Sequence, residues 1–211
     1  KMGRMTRKQR DELRKRQEIL ETAKEIFAVR GFHSTTMAQI SKASQYPLGT
    51  IYKYFSGKKE IYHDLVVERV HELGHILFQI KQNHDLAALE KLLACMKAQS
   101  RFYRANREVV KIYISERSNI DGVSMPKLNQ RVNRLHEKMV TLFRDILAQG
   151  IESKEIKPYP EQDMAELYAD IVHFAAWGSL FRKEEEAQLD KRLLMIFDMF
   201  TRGITNPSDR G

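Results

Sequence analysis

The chain has 211 residues and 24.8 kDa, with 42% hydrophobic residues, 30% charged residues and a mean hydropathy of -0.51. This composition supports a buried core in one or two domains. No apolar run approaches the roughly 20 residues of a membrane span, and the first residues lack the apolar core of a secretory signal, so we expect a cytoplasmic protein. Cys95 is the single cysteine, which excludes an intrachain disulfide and a cysteine-ligated zinc module.

The formal net charge of +8 is concentrated at the start of the chain. Residues 1–60 contain 14 Lys and Arg residues against 6 Asp and Glu residues, whereas the charges balance over residues 61–211. A basic segment attached to a neutral body is typical of a surface for a polyanion, either nucleic acid or an anionic membrane. A basic tail without a partner is the simpler alternative.

Apolar residues recur at helical spacing, and sustained strand alternation is absent. We therefore predict an all-α fold of about nine helices. The first helix extends back into the basic segment and stops at Gly31, because glycine commonly follows the last helical turn. Its apolar face consists of Ile19, Leu20, Ala23, Ile26 and Phe27.

Two short helices are predicted next. Thr36 and Gln39 form a capping box that begins a helix over 37–44. Pro47 suits the first position of a third helix, since its fixed backbone angle matches the helical one. The second helix would turn Met37, Ile40 and Ala43 inward, and the third would turn Leu48, Ile51 and Phe55 inward. The outer face of the third helix would carry Gly49, Thr50 and Lys53, flanked by Tyr52 and Tyr54.

Longer helical patterns fill the rest of the chain. They are predicted over 58–81, 86–104, 108–116, 127–149, 161–181 and 186–202. Polar and Pro-containing breaks separate them.

Two short helices joined by a tight turn, the second with polar groups near its start, match a helix-turn-helix. Its second helix enters the major groove, while basic neighbours bind phosphate. The candidate base-facing residues are Leu48 (if it is not packed inward), Gly49, Thr50 and Tyr52. The candidate phosphate contacts are Thr36, Lys53, Tyr54 and Lys58.

The segments ILETAKEIFAVRGFHSTTMAQISKAS and GTIYKYFSGKKEIYHDLV resemble the TetR/AcrR family of bacterial transcriptional regulators. The resemblance covers about residues 19–65. It implies a DNA-binding domain at 1–57, a helical ligand-binding and dimerisation domain at 58–211, and a homodimer formed through the last two helices. It further implies a repressor that binds a palindromic operator and is released by a small molecule. The effector is expected to be apolar or amphipathic.

The turn of the helix-turn-helix departs from the family pattern. Gln45, Tyr46, Pro47 and Leu48 stand where the family usually has glycine, a small apolar residue, Ser or Thr, and a polar or basic residue. We therefore expect an altered turn geometry at Gln45, and base specificity carried over from relatives does not apply directly.

Residues 71–75 read HELGH, which matches the zinc-protease pattern HExxH on a helix. This pattern makes a zinc-dependent hydrolase one alternative function, and a metal-sensing site at His63, His71 and His75 another. Gly74 weakens the helix and the longer protease pattern is missing, so we predict no enzyme, no cofactor and no metal. A basic adaptor that binds acidic partners is the remaining alternative.

The predicted body has no catalytic signature. Candidate residues of an apolar ligand pocket are Met96, Phe102, Tyr103, Tyr113, Phe143, His173 and Trp177. The last helix has an apolar stripe, and pairing it with the helix before it would give a four-helix dimer interface. This stripe consists of Leu189, Leu193, Ile196, Phe197 and Phe200.

Overall fold

The computed structural model describes residues 5–107, 126–182 and 186–205, which form eight helices and no strand. The helices are α1 (Arg7–Arg30), α2 (Met37–Ser44), α3 (Leu48–Tyr54), α4 (Lys58–Gln82), α5 (Ala88–Ala105), α6 (Pro126–Glu152), α7 (Glu161–Arg182) and α8 (Glu186–Ile204). The all-α prediction is confirmed. The helix predicted over 108–116 lies outside the described residues.

The chain forms two compact units, Lys1–Glu68 and Arg69–Gly211. The sequence places the division after residue 57, whereas the packing places it inside α4. The difference arises because the first turns of α4 pack within the first unit, where the Tyr62 ring lies 5.3 Å from the Phe27 ring and 4.8 Å from the Phe32 ring.

The first unit is built around the apolar face of α1. Ile19, Leu20 and Ala23 are fully buried and Phe27 is 5% exposed, as the helical spacing predicts, while Ile26 is half-buried. Gly31 ends α1 with a positive φ of 75°, a conformation in which a side chain would be strained. Glycine is therefore required at this stop.

The short helices start and end close to their predicted bounds. Thr36 and Gln39 form the predicted capping box at the start of α2. Pro47 precedes α3 as its cap rather than serving as its first residue. Two predictions of inward packing are wrong: Ala43 is exposed, and Leu48 is 38% exposed. Neither position is needed for the core, because Ile40 and Ile51 are fully buried and already fill the contact between the helices.

The second unit packs α5 against α6, α7 and α8, with α6 and α7 forming the most extensive pairing. Phe143 of α6 and Tyr168 of α7 are fully buried, and their rings meet edge to face at 4.8 Å. Tyr168 also donates a hydrogen bond to the Leu92 carbonyl of α5 at 2.5 Å. A buried hydroxyl with a partner ties these helices together without leaving a polar group unsatisfied.

The start of α5 is held by a carboxylate from a distant loop. Glu155 accepts hydrogen bonds from the backbone N–H groups of Ala88 and Leu89 at 3.0 and 3.2 Å. Free N–H groups at a helix start favour negative charge. None of the helices, over the residues described, is long and apolar enough to cross a membrane.

Candidate nucleic-acid interface

Helix α3 has an anchored inner face and an open outer face. Ile51 and the following Phe55 are 0% and 1% exposed, so they fix the helix to the core. On the outer side, Tyr52 is 51% exposed and Lys53 is exposed. Gly49 has no atom near the position that a Cβ would take, so this part of the backbone is open to an approaching surface.

The other candidate base-facing residues, Leu48 and Thr50, lie in the first turn of α3. Thr50 is half-buried. Leu48 is exposed rather than packed inward, so its methyl groups are free to contact a thymine methyl. The structure thus brings the four base-facing candidates together at the start of one helix, as a major-groove reader requires.

Thr36 is exposed and caps α2 by accepting a hydrogen bond from the Gln39 N–H at 3.2 Å. This bond uses an oxygen lone pair, so the Thr36 hydroxyl proton is still available as a donor to phosphate. Tyr54 is half-buried at the end of α3. Both positions are compatible with the predicted backbone contacts.

Lys58, a predicted phosphate contact, makes three hydrogen bonds within the first unit. Its ammonium donates to the carbonyls of Phe32, His33 and Thr35 at 2.9, 3.0 and 2.8 Å. It also lies 4.8 Å from the centre of the Phe32 ring. An ammonium has three N–H donors, and these three contacts use all of them, so Lys58 fastens α4 to the loop after α1, and its phosphate contact stays a prediction.

The loop that Lys58 holds is rigid for a second reason. Thr35 is fully buried, and its hydroxyl donates to the Gly31 carbonyl at 2.8 Å. The carbonyls of the loop therefore have defined positions before Lys58 binds them. Sequence spacing does not reveal this arrangement, because Lys58 is more than 20 residues from its partners along the chain.

The exposed cations at the start of α1 form a basic arm, defined here as Arg7, Lys8 and Arg10. Within the described part of the chain, these three side chains have no carboxylate partner, and no acidic residue lies in the first turn. Positive charge at a helix start is unfavourable by itself. A polyanion bound along the arm would remove this repulsion.

The next cations along α1 are neutralised. Asp11 pairs with Arg14 at 2.7 Å and with Lys15 at 2.8 Å, and these hydrogen bonds, first from Lys15 and then from Arg14, lower the pKa of Asp11 to about 2. Arg16 bonds to Asp64 and lies 4.9 Å from the centre of the Phe55 ring. The positive charge available to a partner thus includes the arm and Lys53 of α3, together with the exposed Arg30, Lys42 and Lys59.

The candidate pocket residues do not form one cavity. Tyr103 and His173 meet edge to face with ring centres 6.0 Å apart. Phe143 is fully buried in the core, and Met96 and Phe102 line two different grooves that share Lys97 and Arg101. Tyr113 and the side chain of Trp177 lie outside the described residues.

The larger of these grooves lies between α4 and α5 and has a volume of about 600 Å³. Its lining is mostly apolar and includes Ile76, Ile80, Leu93 and Phe102, with two cations, Lys97 and Arg101, and one carboxylate, Glu90. No carboxylate in the described residues pairs with either cation. This pair was not predicted from the sequence, although residues four apart on a helix lie on the same face.

The HELGH segment lies on α4, with His71 and His75 exposed. Glu72, the base of the zinc-protease pattern, accepts a hydrogen bond from Arg69 at 2.6 Å. His63 lies in the first unit beside Asp64. Among the residues that the structure describes, no group of three or more His, Cys, Asp or Glu side chains is placed to hold a metal ion. Cys95 is buried, which raises its pKa to about 12 and makes a reactive thiolate unfavourable.

The apolar stripe predicted for dimerisation belongs largely to the core of the single chain. Leu189, Leu193 and Phe200 are 1%, 2% and 8% exposed. A different set of large apolar side chains is exposed on α7 and α8: Leu167, Phe174, Leu194, Met195 and Met199. Ile196 and Phe197 of the predicted stripe are half-buried, and a dimer interface on the last two helices stays a prediction.

These features define a DNA-binding regulator of the helix-turn-helix class: a recognition helix with an open outer face, basic surroundings and a separate helical body. Residues 19–65 match the family model described as bacterial regulatory proteins, tetR family. The start of the chain is therefore similar to the DNA-binding part of the TetR/AcrR family of bacterial transcriptional regulators.

The similarity to known proteins extends beyond the helix-turn-helix. The chain is 26% identical over 144 residues to the fatty acid metabolism regulator protein of Bacillus subtilis, covering 66% of this chain and 70% of that one. It is 23% identical over 201 residues to the transcriptional repressor DhaR of a Mycobacterium species, covering 92% and 97%. The fold resembles the regulator FadR of Bacillus subtilis, solved with stearoyl-CoA, with a TM-score of 0.70, 20% identity and coverage of 89% and 98%.

The assignment of Lys58 leads to a prediction with a matched control. Lys58→Met keeps an apolar stem but leaves three carbonyls without their donor, so the free energy of unfolding should fall by about 1.5–3 kcal/mol. Lys53→Met removes an exposed cation and should leave stability unchanged while making the salt dependence of DNA binding shallower, by about 0.9 in log–log slope for each chain bound. Urea unfolding and a salt titration measure the two effects. If Lys58→Met left the free energy of unfolding unchanged and made the salt dependence of DNA binding shallower, the result would support the predicted phosphate contact of Lys58.

Proposed function

We propose that this regulator is a dimeric repressor that binds a two-fold DNA operator through α3 and is released by an amphipathic anion bound in its helical body. It acts by binding rather than by catalysis. The observation that carries the DNA-binding role is α3 itself, where Gly49, Thr50 and Tyr52 lie within two turns of helix next to the exposed cation Lys53. No observation favours the hydrolase or adaptor alternatives in the same way.

The base-reading role of α3 is tested by selecting duplexes from a random pool and then measuring the affinity of variants. Thr50→Ala removes a hydroxyl on the outer face, so its affinity for the selected duplex should fall by roughly tenfold, as expected for a lost base contact of about 1–3 kcal/mol. Its affinity for random DNA should stay within twofold of the original. Equal losses on both duplexes would mean that Thr50 contacts the backbone and does not read bases.

Dimer formation is supported by the apolar residues that the single chain leaves exposed. Leu194, Met195 and Met199 of α8 are 45%, 56% and 66% exposed, and Leu167 of α7 is 54% exposed. Several large apolar side chains exposed on two neighbouring helices favour an interface there. A single short recognition helix reads few base pairs, so a two-fold pair provides the selectivity that one chain lacks.

The interface prediction is that Met199→Glu raises the dimer dissociation constant at least about tenfold, because burying one such side chain contributes about 1.5–3 kcal/mol. Sedimentation equilibrium over a concentration series measures this. Val29→Glu is the control, since Val29 is 84% exposed on α1 and should leave the oligomeric state unchanged. An unchanged dimer dissociation constant for Met199→Glu would mean that the interface does not include Met199.

The effector site is supported by the groove between α4 and α5. Its lining is mostly apolar, which suits an aliphatic chain, and Lys97 and Arg101 suit an anionic group at one end of that chain. The similarity to a regulator solved with stearoyl-CoA points to the same chemical class, a long acyl chain carrying an anionic group.

Arg101→Gln should therefore raise the stearoyl-CoA concentration needed to release the selected duplex by about tenfold, in keeping with the loss of a charged hydrogen bond of about 1.5–3 kcal/mol. Fluorescence anisotropy of labelled duplex gives the release curve. The matched control is Arg134→Gln, which removes an exposed arginine of α6 and should leave the curve in place. A curve that shifts equally for both variants, or for neither, would exclude the groove as the site of the anionic group.

A further inference from the structure

The turn before the recognition helix is tied to α1 by a tyrosine hydroxyl. Tyr46 donates a hydrogen bond to one carboxylate oxygen of Glu18. The other oxygen of Glu18 accepts a hydrogen bond from Arg14 at 3.0 Å, and Arg14 also donates to Asp11 at 2.7 Å. A connected set of charged and polar groups therefore links the outer face of α1 to the turn. The bond to Glu18 raises the pKa of Tyr46.

The backbone of the same turn is also held at Tyr46. The Ser41 hydroxyl donates to the Tyr46 carbonyl at 2.7 Å. The residue before it, Gln45, has φ 58° and ψ 16°, a left-handed conformation that is unfavourable for a residue with a Cβ. Such a conformation persists only where the surroundings hold it. Tyr46 provides that restraint at both its carbonyl and its hydroxyl.

The restraint passes directly to α3. Pro47 follows Tyr46 with φ -54°, and the proline ring allows little variation in this angle. The first residue of α3, Leu48, comes next and begins the face proposed to read bases. Few free torsions separate the Tyr46 ring from that face, so the direction of the ring limits the direction of the helix.

We propose that Tyr46 is a positioning residue for base recognition, whose hydroxyl bond to Glu18 sets the orientation of α3 and thereby the selectivity of the protein among DNA sequences. This role rests on the proposed DNA-binding function. In this turn, a side-chain hydrogen bond takes the place of the glycine that the family usually has. Neither Tyr46 nor Glu18 needs to contact DNA for this effect.

The test compares the affinity for the selected duplex with the affinity for a scrambled duplex, using the full-length chain. Tyr46→Phe keeps the ring and removes only the hydroxyl, so the ratio of the two affinities should fall about 3- to 10-fold, in line with the loss of one hydrogen bond to a charged group. Affinity for the scrambled duplex should be unchanged. Tyr159→Phe is the control, since Tyr159 is an exposed tyrosine of the second unit.

Variants of the acceptor separate positioning from simple stabilisation. Glu18→Gln keeps an oxygen that accepts from Tyr46 and should keep most of the selectivity. Glu18→Ala should lose as much selectivity as Tyr46→Phe, and combining the two should add little, as expected for partners in one interaction. If Tyr46→Phe does not fold, Glu18→Ala decides the question, because it leaves the tyrosine ring in place.

Three results would overturn the proposal. The affinity ratio of Tyr46→Phe stays at the original value, or both affinities fall by the same factor, or the two single losses are simply additive in the double variant. Failure of the original chain to select any duplex is a separate outcome, because it refutes the DNA-binding function on which the positioning role depends.

Discussion

The ammonium group of Lys58 fixes the geometry on which the DNA-binding unit depends. It satisfies three carbonyls of the loop that joins α1 to α2, and it does so from the first residue of α4. Three carbonyls that converge on one point would repel one another and lack hydrogen bonds if no donor were placed there. The start of α4 and the loop that leads into α2 are thus held together by one side chain. Because α4 continues into the second unit, a change in that helix has a covalent route to the recognition helix.

Charge in the first unit is divided between structural pairs and exposed cations. Arg14 and Lys15 pair with Asp11 within α1, and Arg16 pairs with Asp64 and so joins α1 to α4. Arg7, Lys8 and Arg10 precede them at the start of α1, where the helix dipole opposes positive charge. Counting basic residues therefore overestimates the charge offered to DNA. The basic arm is the clearest example of charge available to DNA. A phosphate backbone bound there would neutralise the arm's side chains and would also remove the repulsion at the start of the helix.

Local patterns in the sequence were enough to predict the helices and the outer face of α3. Caps such as Thr36 with Gln39 act over three residues, and apolar spacing acts over a single turn, so both are visible in the sequence. Contacts that join distant segments are not visible there. Lys58 has the expected position at a helix start, yet its carbonyl partners come from another part of the chain. Tyr46 was recognised as a departure from the family pattern, but its bond to Glu18 depends on how α1 and the turn meet.

The last helix shows why an apolar stripe cannot identify its partner. Leu193 is buried within the chain and Leu194 is 45% exposed, because neighbours on a helix point about 100° apart. A helix with apolar residues at both positions has two faces to bury, and the sequence does not say which one the chain covers itself. Leu193 and Leu194 also line a smaller groove that includes Lys97 and Arg101. The proposed effector cations and the proposed dimer face therefore meet at α8, so an anion that changes the packing of Lys97 or Arg101 would also act on the helix that carries the proposed dimer face.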